Sequence, residues 1–157
     1  GGHSLQEICG QAPLVIDTLV LDKHVAPYRK RVSKDQGAYQ LRTSAETYGL
    51  AWDDDAAHAA DYDALQAARV AWKIGAIAHR PHEQRPDWVK ELRTQRFDQV
   101  AGVSLPELHD RQVVWAKEQA AALQEYLRSE KAGERRDPDA VVDGSWPIRP
   151  WKGGDTA

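Results

Sequence analysis

The sequence of 157 residues contains no methionine, one cysteine and one phenylalanine. Cys9 has no partner for an internal disulfide, so the fold must hold without a covalent staple, as in a cytoplasmic protein, and a zinc framework of cysteines is excluded. No run approaches the roughly 18 to 20 consecutive apolar residues that would span a bilayer, and the N-terminus lacks the basic-then-apolar layout of a secretory signal. A membrane protein is not expected. A dominant charge is missing too: 21 Lys plus Arg stand against 24 Asp plus Glu, a net charge of -3. Any nucleic-acid contact must therefore come from a local patch. The lack of methionine and the Gly1-Gly2 opening point to a piece of a longer chain. With 41% hydrophobic and 29% charged residues, the composition is that of an ordinary globular domain.

The stretch from Leu14 to Leu21 is a short apolar run, rich in β-branched residues and preceded by Pro13. It has the pattern of a strand buried on both faces of a parallel sheet, and such a strand needs partners that this chain barely offers. A basic stretch follows, Lys23 to Lys34. Tyr39 to Tyr48 reads as a short helix closed by Gly49, and a long helical pattern runs from about Ala56 to Ala78, where Leu65, Ala68, Val70, Trp72 and Ile74 recur among alanines. Trp88 to Val100 is a weaker helical segment. Ser104-Leu105-Pro106-Glu107 forms a capping box opening a helix to about Glu130, with Leu108, Trp115, Ala116, Leu123 and Leu127 on its apolar stripe. Trp72, Trp88 and Trp115 lie on apolar stripes and are expected in a core or against a subunit. Beyond Gly133 the chain turns to charge, proline and glycine, and Trp146 to Trp151 reads as an extended aromatic tail suited to an interface.

The residues most suggestive of chemistry are His58-Ala59-Ala60-Asp61-Tyr62-Asp63, at the start of the long helix. Inside a regular helix, a spacing of five turns His58 and Asp63 about 140 degrees apart. With His58 on the loop feeding the helix, both side chains can line one site. Acidic residues at a helix start are also favoured by the macrodipole alone, whatever the function.

These residues resemble the histidine-bearing branch of the DEDD exonucleases, the family of the proofreading epsilon subunit of bacterial replicative DNA polymerase. The likeness covers Pro13 to Ile77: Val15-Ile16-Asp17-Thr18-Leu19 resembles the family's late strand, His58 and Asp63 its histidine and aspartate separated by four residues, and Ala64 to Val70 the helix carrying that aspartate. Ser104 to Leu127, Asp137 to Val141 and Trp146-Pro147 are similar to a C-terminal extension of one bacterial subgroup. The resemblance implies the C-terminal, mostly helical part of a three-layer α/β domain of the ribonuclease-H-like kind in residues 1–80, with a helical extension and tail in 81–157. It implies 3'-to-5' exonuclease activity on DNA, with Asp63 a ligand of Mg2+ or Mn2+ and His58 the general base. Two metal ions roughly 3.5 to 4 Å apart would activate water and stabilise the leaving oxygen, and a histidine with an ordinary pKa near 6.5 suits proton abstraction near neutrality. The family's Asp-x-Glu strand and middle-helix aspartate have no counterpart upstream of Asp17. The implied partners are therefore a single-stranded DNA 3' end and a second polypeptide supplying the missing ligands, or a DNA polymerase.

Lys23, Arg29, Lys30 and Arg31, with Lys34 beyond them, make the densest basic stretch and are candidates for gripping DNA phosphates; a solvated loop is the alternative. His79-Arg80-Pro81-His82-Glu83 reads as a helix-ending loop. A rival function is a non-catalytic interaction module whose helices and tail dock on a replication or repair partner.

Overall fold

The computed structural model describes residues 13–150; Cys9, the Gly1-Gly2 opening and Trp151 lie outside them. The described residues form helices and short helical turns with no strand, which overturns the three-layer α/β expectation. The run expected as a buried strand divides at Asp17. Residues 13–17 have no regular structure, and α1 spans Thr18–Val25. Asp17 makes the difference. Its backbone is extended (φ -101°, ψ 108°), and its carboxylate accepts from the N–H groups of Leu19 (2.9 Å) and Val20 (3.2 Å), capping the new helix. With no neighbouring strand to take their hydrogen bonds, the backbone groups of the run are satisfied inside a helix. Val20, Leu21 and Val25 are buried, whereas Leu14, Ile16 and Leu19 are exposed.

The chain divides into two compact units. The first is Ile16–Ser104. After α1 come α2, Leu41–Thr47, and α3, Ala60–Ala78. Gly49 closes α2 with φ 75°, a conformation that suits glycine, while Leu50 N–H donates to Ala45 C=O (2.9 Å) in the Schellman pattern. α3 packs on α1, α2 and a 3-10 turn at Phe97–Val100. It buries Gln66, Val70, Ile74, Ile77 and Ala78. Gln66 is satisfied in that position because its Nε2 donates to Ala51 C=O (2.7 Å) and Tyr62 OH (2.8 Å).

The helical segment expected from Trp88 to Val100 is a single turn, α4 (Asp87–Lys90), followed by irregular chain and the 3-10 turn. Tertiary hydrogen bonds break it. Arg85 is buried and its guanidinium donates to the carbonyls of Arg80 and Ala78, to Gln95 Oε1 and to the Asp98 carboxylate, while Arg96 N–H donates to Val25 C=O (2.8 Å). The loop thereby wraps Phe97, which is fully buried. Phe97 meets Trp88 edge-on (6.3 Å between centroids), and Trp88 meets Tyr48 likewise (5.2 Å). Trp72, expected in a core or against a subunit, is not in the core of this unit: it is 69% exposed.

In the second unit, described over residues 13–15 and from Leu105 onward, α5 spans Leu105–Arg128 and buries Leu108, Gln112 and Trp115. The 13–15 segment is strapped to it: Val15 N–H donates to His109 Nδ1 (3.1 Å) and Val15 C=O accepts from Gln112 Nε2 (2.9 Å). The tail folds back along the helix, Ala140 C=O accepting from Arg128 Nε (2.9 Å) and Val142 N–H donating to Gln124 Oε1 (3.1 Å). Gly144 permits the close approach, since a Cβ there would come within 3.1 Å of Lys117 Cα and Ala120 Cβ. Trp146 stacks obliquely on His109 (5.0 Å). Among the described residues, no helix is long and apolar enough to cross a membrane.

Candidate catalytic site and basic loop

α3 begins at Ala60, so His58 stands on the loop that feeds it. That loop is built by its neighbours. Asp53 Oδ1 accepts from the N–H groups of Asp55 (2.9 Å) and Ala56 (3.3 Å), and Asp53 N–H donates to Tyr62 OH (2.8 Å), whose ring packs against Trp52. His58 follows with φ 73°, a left-handed conformation uncommon outside glycine but one that histidine adopts more readily than most residues. Its N–H donates to Asp63 Oδ1 (3.3 Å), so the carboxylate reaches back from the first turn of α3 and holds the histidine beside it. His58 is exposed and Asp63 half-buried. The two predicted site residues therefore share one helix end.

They do not complete a metal centre. Among the described residues, no three His, Cys, Asp or Glu side chains are grouped so as to hold a metal ion. A hard cation such as Mg2+ needs about six oxygen ligands, and one carboxylate with one imidazole does not fit a pair of them.

The basic loop is divided by the structure. Arg29 is not a surface cation; its side chain is 7% exposed and forms an ion pair with Asp22, itself 1% exposed. Nη2 also donates to Ala38 C=O (2.9 Å) and Ser44 Oγ (3.2 Å), and the guanidinium lies over the rings of Tyr39 (4.7 Å) and Tyr48 (5.8 Å). Asp22 accepts in addition from Ser44 Oγ (2.5 Å) and Tyr48 OH (2.8 Å). Burial pushes the Asp22 carboxyl above its ordinary range despite Arg29 and these donors; burial and the adjacent Asp22 likewise push the Tyr48 hydroxyl up. Sequence reading missed this cluster. The available signal was Asp22 itself, a carboxylate closing an apolar run and lying seven residues before Arg29.

Lys23 is half-buried at the end of α1, with Nζ 6.0 Å from the Tyr39 ring. Lys30, Arg31 and Lys34 are exposed, and Arg31 turns its guanidinium back onto the carbonyls of Ser33 and Lys34. Lys30 and Lys34 are thus the exposed lysines among the expected phosphate contacts. If they grip phosphates, changing both to alanine is expected to weaken single-stranded DNA binding and to lower the slope of log affinity against log salt by roughly one per lysine. An unchanged slope, measured by fluorescence anisotropy, removes the role. Arg29→Ala is no test of it, because that change opens the core.

His79 closes α3. Its Nδ1 lies 2.8 Å from Gly75 C=O, and its Nε2 accepts from Gly102 N–H (3.2 Å), which assigns the hydrogen to Nδ1. No protein-family model matches the chain, and no curated protein or solved structure matches it either. Of the residues that carry the likeness to the exonucleases, Val15 to Leu19 do not form the expected strand, which leaves His58, Asp63 and the helix of Ala64 to Val70.

Proposed function

We propose that the chain supplies the general base of a 3'-to-5' exonuclease acting on DNA. The observation that carries this reading is the hydrogen bond that holds His58, on its left-handed loop position, against Asp63 at the start of α3. It ties the backbone of an exposed histidine to the carboxylate at the helix start, so one end of α3 carries both residue types that abstraction of a proton from an attacking water uses. Mg2+ or Mn2+ is the cation the chemistry calls for, and its remaining ligands come from a second polypeptide.

The test is made on protein isolated from its own cells through a tag on this chain, together with whatever accompanies it. Single-stranded DNA labelled at the 5' end is expected to shorten from the 3' end in magnesium or manganese. His58→Asn, which tolerates the left-handed backbone and removes the base, is expected to slow this by about a hundredfold or more. Full activity in that variant refutes the role of His58, and intact DNA throughout refutes the exonuclease reading.

A different observation favours the second reading, an interaction module. Leu65 and Trp72, seven residues apart on α3, are 49% and 69% exposed, an apolar face over which only the Lys73 ammonium is seen to lie, 5.9 Å from the Trp72 ring.

A further inference from the structure

We propose that the outer face of α3 is a two-fold contact between two copies of this chain, with the helices antiparallel; this rests on the interaction reading and is independent of the nuclease one.

α3 carries few charges beyond its first turn, Arg69 and Lys73 alone. Opposite its buried row of Val70, Ile74 and Ile77 lie Asp61, Leu65, Ala68, Trp72, Gly75 and His79. Their spacing alternates four and three, the seam along which two helices pack knobs into holes. A surface helix normally turns charge toward solvent on this side; here it turns leucine and tryptophan.

Gly75 supplies an independent observation. Glycine weakens the interior of a helix, and among the described residues a Cβ built at Gly75 would meet nothing within 4 Å beyond its own stretch of helix. Nothing in the described residues requires the small residue, whereas close approach of another helix would.

Size and charge then select the partner and its direction. Running the second helix antiparallel opposes Leu65 with the other copy's Gly75, and Trp72 with the other copy's Ala68, so a large side chain meets a small one in each of these layers. It also sets Asp61 at the C-terminal end of the facing helix, towards Arg80, and aligns the helix dipoles favourably. A parallel pair would stack Trp72 on Trp72, leave Gly75 facing Gly75 and set Asp61 against Asp61. The antiparallel arrangement is isologous, each residue pair occurring twice. Arg69 then meets its own mate at the solvent edge of the axis, and that like-charge meeting separates a second copy from an acidic foreign helix.

Sedimentation equilibrium of the purified full chain is expected to show a dimer. Trp72→Ala and Gly75→Leu each weaken it by about tenfold or more, Arg69→Ala tightens it, and Leu65→Ala combined with Gly75→Leu regains most of the affinity that Gly75→Leu loses, because large and small positions are exchanged. A double variant weaker than Gly75→Leu alone, or looser association on Arg69→Ala, overturns the proposal. A photo-reactive residue at position 68 in living cells separates this failure from that of the interaction reading. An adduct of twice the chain's mass supports both. An adduct of another mass, with a purified chain that remains monomeric and natively helical, overturns the second copy and leaves the interaction reading standing. A folded chain that gives no adduct overturns both.

Discussion

Replacing Arg29 with methionine is expected to remove about 3 to 5 kcal/mol of folding free energy. Asp22 would keep its hydrogen bonds from Ser44 and Tyr48 but lose the cation that compensates a carboxylate 1% exposed. Asp22→Asn should cost a comparable amount, because it strands a guanidinium that cannot give up its proton. The pair is not thereby a net source of stability. Arg29 Nε and Nη1 are buried without hydrogen-bond partners among the described residues, and desolvation of both ions opposes their attraction. Asp22→Leu combined with Arg29→Met is accordingly expected to be more stable than either single variant in urea unfolding. A loss under about 1 kcal/mol for Arg29→Met, the size typical of surface pairs, would show that the cluster does not hold α1, the 28–39 loop and α2 together.

The same cluster sets a pH dependence. Because burial holds the Asp22 carboxyl above its ordinary value, the folded protein binds this proton more tightly than the unfolded chain does. Its contribution to stability is therefore complete below the ordinary carboxylate range and declines as pH rises through the raised folded value. Removing Arg29, whose charge lowers that value, raises it further, so the loss in Arg29→Met should shrink in acid. A penalty that stays constant or grows on acidification, in unfolding experiments across about pH 3 to 7, contradicts this assignment.

The second large effect separates two aromatic residues that look alike in sequence. Phe97→Ala is expected to cost about 3 to 5 kcal/mol, since the ring is wholly buried and truncation leaves a cavity between α3 and the 85–100 loop. Trp72→Ala, although it removes a larger side chain, should change the stability of a single chain by no more than about 0.5 kcal/mol. Urea unfolding at low protein concentration, where any dimer has dissociated, makes the comparison. Equal losses would place the core elsewhere.

How much of this was legible follows from where each signal resides. The bounds of α2, α3 and α5 were readable to within a few residues because periodicity, Gly49, Pro81 and the Ser104 start are local. His58 on a loop ahead of α3 was one of two readings open at the sequence level, and only the onset of the helix at Ala60 chose between them. The burial of Arg29 was illegible: five cations in twelve residues read as an exposed stretch, either gripping phosphates or solvated, and nothing local shows that one of them turns inward to meet Asp22.

What the amino-acid order determined unaided is the helical content of most of the chain, a short-range consequence of backbone preference and spacing. Whether Leu14 to Leu21 became strand or helix was decided in three dimensions, because an apolar β-branched run suits either state until lateral partners are present, and here Asp17 caps a helix. The inward side of α3 was decided there too. Leu65, Val70, Trp72 and Ile74 offer nearly continuous apolar surface around the helix, and the packing of α1, α2 and the Phe97 turn selected which of them left water.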